Sequence, residues 1–250
     1  MKVIELIKLI EDLIPKELGL KNDKIGYLSQ NTDMDIEKIK VLMDLYPEED
    51  LNSNKKEMFI THHPPLFEPK TPTYVVHSNW DIITGGANDA LAETLDLRIL
   101  DIFDKDNGIG RICKSKLNFK EFLSLAAEKL SLNQMSVVNP LDDEYVLDKI
   151  AIVSGFGLSN IEYVKLAKEK NIKLFLSGDL IHRSAILAKD LDICLLDINH
   201  HKSEIPGLIK LYDMVSNIGL DTELIIQDVP WKLINFKHLK KKKYFFDKIK

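Results

Sequence analysis

Cysteine is scarce in this chain. Cys113 and Cys194 are the only two in 250 residues, they lie far apart, and neither belongs to a CxxC pair. That excludes a disulfide framework and makes a cytoplasmic location the default expectation. Long apolar runs are missing as well, and none approaches the ~20 residues a membrane span needs. The opening segment from Met1 to Ile14 is broken by charge too often for the core of a signal peptide. Its Ile4, Ile7, Ile10 and Ile14 recur at helical spacing instead, which predicts an amphipathic helix ended by Pro15. No short repeat occurs, and the only low-complexity tract is Lys240 to Lys243.

What is present is ordinary globular material, 45% hydrophobic and 29% charged, enough for one large domain or two modest lobes. The formal charge of −5 is unevenly spread. Seven Lys face one Asp between Lys237 and Lys250, so that tail carries +6 and the remainder −11. An acidic body argues against a protein built mainly to coat nucleic acid. The basic run is a candidate contact for nucleic acid or an anionic surface, or simply a solvated terminus.

Short β-rich runs alternate with helical stretches along the chain. Strands are expected at 38–43, 57–61, 73–77, 98–102, 109–113, 149–153, 173–176, 193–198 and 222–227. Helices are expected over 86–97, 118–130, 160–170, 182–189 and 201–218, and the segment 139–147 reads as a loop. Such alternation predicts α/β architecture with mixed or parallel sheets.

Six of the seven histidines fall in four stretches, each at the expected end of a strand or start of a helix. Those are the places where α/β folds put ligands. In Thr61-His62-His63-Pro64-Pro65 the two imidazoles can share a site only if the strand has ended, and the prolines supply that break. Asp81, just beyond the strand that ends near His77, could give a bridging oxygen. His77 itself reads as a residue that orients a ligand. In His200-His201-Lys202-Ser203-Glu204, a helix beginning at His200 puts His200 and Glu204 on one face, with His201 pointing elsewhere. Taken singly, each stretch also reads as a surface turn, a helix cap or a capped helix start. Together, His62, His63, Asp81, His200 and Glu204 make a nitrogen- and oxygen-rich set without cysteine. It suits Zn, Fe or Mn, and five ligands fit two metals with shared carboxylates better than one. Gly155 and Gly157 form a turn that either exposes backbone N–H groups to an anion or simply joins strand to helix.

Six segments, in order, resemble the NIF-three-like family, also known as GTP cyclohydrolase I type 2 homologues or dinuclear-metal-centre proteins. They are THHPPLF (61–67), HSNWD (77–81), GGANDALAETLDL (85–97), GIGR (108–111), LSGDLIH (176–182) and HHKSE (200–204). The resemblance implies two α/β lobes with mixed sheets, two divalent metals in the cleft between them, and hexamers built as trimers of dimers. By motif, His62 and His63 match the paired ligands, Asp81 the Asp of HxxxD, and His200 and Glu204 the late HxxxE. Asp81 and Glu204 are then the candidate bridges. His77 and His182 match positions near the metals and are candidate proton shuttles. The lobes are expected at 1–113 and 114–250, with the segment from about 190 free to pack on the first. The early family motif survives only as Asn22-Asp23-Lys24-Ile25-Gly26, without its Trp and Asn. The expected activity is metal-dependent hydrolysis of a small molecule, either a phosphoester or a C–N bond in a nucleotide ring or cyclic amide. The alternatives are metal storage or delivery, or a ring-shaped regulatory module.

Overall fold

The computed structural model describes residues 1–232 and 234, so the Lys240–Lys243 run lies outside the described residues. Its strands are β1 (Gly26–Tyr27), β2 (Lys38–Leu42), β3 (Glu57–Thr61), β4 (Thr73–Val75), β5 (Arg98–Asp104), β6 (Ile109–Lys114), β7 (Ser136–Val138), β8 (Ile150–Ile152), β9 (Leu174–Ser177), β10 (Cys194–Asp197) and β11 (Asp221–Ile225). Its α-helices are α1 (Val3–Leu13), α2 (Pro47–Leu51), α3 (Ser78–Ile82), α4 (Ala87–Thr94), α5 (Phe119–Lys129), α6 (Ile161–Glu169), α7 (His182–Leu191) and α8 (His200–Ser216). None of these helices is long and apolar enough to cross a membrane.

The strands form two mixed sheets, ordered β1-β4-β3-β2-β11 and β5-β6-β8-β9-β10-β7. In the first, β11, β2, β3 and β4 are parallel and only β1 is antiparallel. In the second, β8, β9 and β10 are parallel, flanked by antiparallel β5, β6 and β7. Central parallel strands are covered on both faces and so read as unbroken apolar runs; Met58-Phe59-Ile60 in β3 and Leu174-Phe175-Leu176 in β9 are fully buried.

Helix α1 lays Val3, Leu6, Ile7 and Ile10 on the first sheet, where they meet Ile39, Val41, Met58 and Ile60. The second sheet is covered on one face by α4 and α5, through Leu91, Leu95, Phe119 and Phe122, and on the other by α6 and α7, through Val164, Ala167 and Ala188. Helix α5 begins as the sequence requires. The Asn118 side chain accepts from the Glu121 N–H at 2.9 Å while Glu121 reaches back to the Asn118 N–H.

The expected division at residue 113 falls inside β6, which pairs with β8, so the second sheet already starts at Arg98. The chain returns to the first sheet at its end. Helix α8 leaves the second sheet after β10, packs Leu208, Leu211 and Val215 into the first core, and delivers β11 beside β2. The strand expected over 73–77 stops at Val75, because the His77 N–H bonds to the Asn79 side chain at 3.0 Å and turns the chain into α3.

Candidate metal centre

The carboxyl ends of the two parallel strand sets meet at the seam between the sheets. Strand β3 ends into His62 and His63, and β4 into His77 and Asp81; β10 ends into His200, the first residue of α8. Glu204 follows one turn later, which carries the carboxylate across to the first sheet. It lies 3.4 Å from His62 Nε2, 3.2 Å from His63 Nε2 and 3.1 Å from His200 Nε2. Asp81 Oδ1 lies 3.8 Å from His62 Nε2. All five residues expected as ligands are therefore neighbours, and His62, Asp81 and Glu204 are nearly inaccessible at 3%, 6% and 4% exposure.

Each imidazole is oriented from behind. His62 Nδ1 bonds to the Val76 carbonyl at 2.9 Å, His63 Nδ1 to Asp44 at 2.9 Å, and His200 Nδ1 to Asp179 at 2.7 Å. Each bond fixes the tautomer and turns Nε2 toward the cluster, the arrangement metal-binding histidines use. Asp44 carried no signal in the sequence beyond its place just after β2, and Asp179 only its membership of the LSGDLIH segment after β9. His77 is also drawn in, with its ring centre 5.3 Å from that of His62. His182 is not. It sits exposed at the start of α7 and makes no hydrogen bond or ion pair with the cluster among the described residues. The residue of the LSGDLIH segment that reaches the cluster is Asp179, three residues earlier.

The glycine turn supports the site from below. Gly155 has φ +79°, and a Cβ there would collide with the Glu204 carboxylate. Its N–H donates to Ser203 Oγ at 2.7 Å, and the Gly157 N–H donates to Ser177 Oγ at 2.9 Å. Both amides are thus used internally, which removes the anion-cradle reading of this turn.

Electrostatics follow the geometry. Burial disfavours charge on Glu204, yet His62, with His200 and His63, holds it well below the usual carboxylate range. Burial, opposed by His62 and reinforced by Glu204, pushes Asp81 up to about 6. Burial works against imidazolium at His63 and His200, but their carboxylate partners outweigh it and raise both to about 10. These two groups therefore bind protons more tightly folded than unfolded. Their contribution to stability is fully present below about pH 6.5 and is lost as pH rises toward 10. The metal-free protein should show a urea midpoint that falls from pH 7 to pH ~9.5, and a midpoint that rises over that interval would contradict this arrangement.

Whether a cation fits is decided by atoms left unpaired. His62 Nε2, Asp81 Oδ1, His200 Nε2 and Glu204 Oε2 are buried without a well-formed hydrogen bond. Buried polar atoms are normally paired, and four such atoms in one cluster match the donors a metal would take once it displaces the imidazolium protons. His63, His200 and Glu204 offer donor atoms all within 4.8 Å of one another, as do His62, His63 and His77.

Fold and site together define an α/β protein of two mixed sheets with a histidine–carboxylate group suited to a metal ion. The family model for Duf34/NIF3 (NGG1p interacting factor 3) matches residues 1–73 and 70–229, and the chain belongs to that family. A GTP cyclohydrolase 1 type 2 homolog of Methanothermobacter thermautotrophicus is 39% identical over 231 residues, covering 92% of this chain and 95% of the relative. Another relative of that name, from Methanocaldococcus jannaschii, is 33% identical and covers 91% and 100%. Among solved structures, reduced HcgD from Methanocaldococcus jannaschii superposes with TM-score 0.78 at 32% identity, covering 91% and 98%. Staphylococcus aureus SA1388 shares the fold, with TM-score 0.80 at 20% identity over 94% of this chain and 99% of that one.

Proposed function

We propose that this protein is a metal-dependent hydrolase that uses two divalent cations, Zn, Fe or Mn, against a small cyclic C–N or phosphoester substrate. The observation that carries this reading is the set of four unpaired buried atoms contributed by the residue just after β3, by α3 and by α8. His63, His200 and Glu204 would hold one cation and His62 and Asp81 the other, with Glu204 reaching both. Cations bound there supply Lewis acidity and a water of lowered pKa. The chain's own part is to fix the donors. Asp44 and Asp179 lock two imidazoles, and Glu204 is immobilised between three of them. Burial of Asp81 and His62 excludes bulk water from one side.

Charge favours the C–N substrate. Asp23, Asp44, Asp81, Asp179 and Glu204 ring the site, so even two dications leave it short of the positive charge a polyphosphate wants. The relatives' cyclohydrolase names denote opening of a C–N ring, whereas the GTP in those names is a polyphosphate that this ring of acids does not favour.

The test is turnover of a panel of cyclic amides, nucleobases and phosphoesters by metal-reconstituted protein. Activity on at least one is expected, reduced at least ~1000-fold in Asp81→Ala because that change removes a donor for the second cation. Silence across the panel by protein that carries both ions would refute the reading. Exposed Ile99, Leu100 and Ile102 on edge strand β5 support association of several copies. Light scattering that finds a hexamer would agree with this, and a monomer would refute it.

A further inference from the structure

His77 lies outside the five-residue ligand set, yet it is built like a ligand. Both oxygens of Asp23 accept from His77 Nδ1 at 2.9 Å. Asp23 is itself anchored by the Ser78 N–H at 3.1 Å and by the Ser78 hydroxyl, whose oxygen accepts the Leu20 N–H at 2.8 Å. The antiparallel pairing of β1 with β4 makes this contact, because it sets the segment before Gly26 beside the end of β4. A carboxylate so fixed holds His77 as the Nδ1–H tautomer and leaves the Nε2 lone pair free.

The neighbours are set the same way. His62 gives Nδ1–H to the Val76 carbonyl and His63 to Asp44, so Nε2 of each is the atom turned toward Glu204, where a cation would take the place of the imidazolium proton. One ring nitrogen from each of His62, His63 and His77 lies within 4.8 Å of the other two. His63 belongs equally to a second such group with His200 and Glu204, so His62 and His77 face one cation position while His63 serves the next. His77 and Asp81 also line one cavity of about 290 Å³, walled by Leu20, Ile109 and Phe156.

We propose that His77 is itself a metal ligand, sharing with His62 and Asp81 the cation on the first-sheet side, while His63 and His200 hold the other. Asp23 is its positioning residue. This deepens the two-cation reading above and rests on it. It also makes the first-sheet cation richer in nitrogen than the five-residue set implies, which favours borderline transition metals over Mg or Ca.

The decisive measurement uses the full chain, grown with isotope-labelled histidine and loaded with NMR-active cadmium. Direct nitrogen–cadmium coupling is expected at His62, His63, His77 and His200. Coupling at the other three without His77 overturns the proposal alone. A chain that takes up no cadmium overturns the two-cation reading beneath it. In cobalt titrations His77→Ala should weaken one of two sites ~100-fold and Asp23→Asn ~10-fold, in line with ligand and outer-partner losses. If His77 is only a proton carrier, as its motif implied, cobalt stoichiometry and affinity stay unchanged in His77→Ala while a pH–rate profile moves, and the proposal fails. Should His77→Ala not fold, the cadmium spectrum of the unaltered chain decides.

Discussion

Glu204→Ala is expected to empty the proposed two-cation centre, with affinity falling at least ~100-fold at each position, more than loss of an outer partner alone would cost. The reason is that one carboxylate serves three imidazoles. It lies within 3.4 Å of His62, His63 and His200, and among the described residues no other acid reaches all three. The change should also destabilise the metal-free protein by about 3–5 kcal/mol, since the protonated imidazoles lose a buried counter-charge. Elemental analysis after dialysis and urea unfolding with chelator check the two halves separately. Retention of both ions by the variant would mean that the donors converge elsewhere. Glu204→Gln should keep the volume, lose the ions and still lose stability, which separates charge from packing.

Asp89→Ala is expected to cost about 3–5 kcal/mol in unfolding free energy, the range for orphaning one member of a buried ion pair. Arg111 is buried, and its Nε–H meets Asp89 Oδ1 closely. Its remaining N–H groups donate to the carbonyls of Gly108, Gly110, Ile82 and Ile83 at 3.2, 2.9, 3.2 and 3.4 Å. Asp89 is held in turn by the Gly85 N–H at 2.7 Å. The pair therefore ties the end of α3, and Asp81 with it, to β6. A double replacement, Asp89→Leu with Arg111→Met, should recover much of the stability because no buried charge is left alone. Urea midpoints decide, and a loss under ~1 kcal/mol for Asp89→Ala would show the pair to be solvated. This pair accounts for the glycine-flanked segments 85–97 and 108–111, whose resemblance carried no chemistry when read as sequence.

Much of the scaffold was legible because burial writes periodic patterns. Strand β3 and helix α5 stand where apolar runs and the Asn118 cap put them. The five expected ligands were legible because each lies where a strand must stop, marked by Pro64, by a helix start or by a one-turn spacing. Short elements escaped. Strand β1 has two residues and α3 five, too few for a period to show, and β7 pairs only through its position against β10. Sheet order escaped too, since nothing local tells β11 to lie beside β2. The roles of the orienting acids Asp23, Asp44 and Asp179 were invisible for a different reason, even though Asp23 and Asp179 lie in segments marked by the resemblance. A single carboxylate behind an imidazole needs no neighbours of a given type, so its role exists only once distant loops are brought together.

Helix α8 starts on one sheet and finishes on the other, and His63 and His200 stand 137 positions apart along the chain. No nascent fragment that ends before α8 can hold an ion with the full set of donors. Uptake by the proposed centre would then come at the end of biosynthesis, after the costliest loop closures are complete. Occupancy at the seam would serve as a receipt for finished folding, and a truncated or misassembled copy would be recognisable by its emptiness.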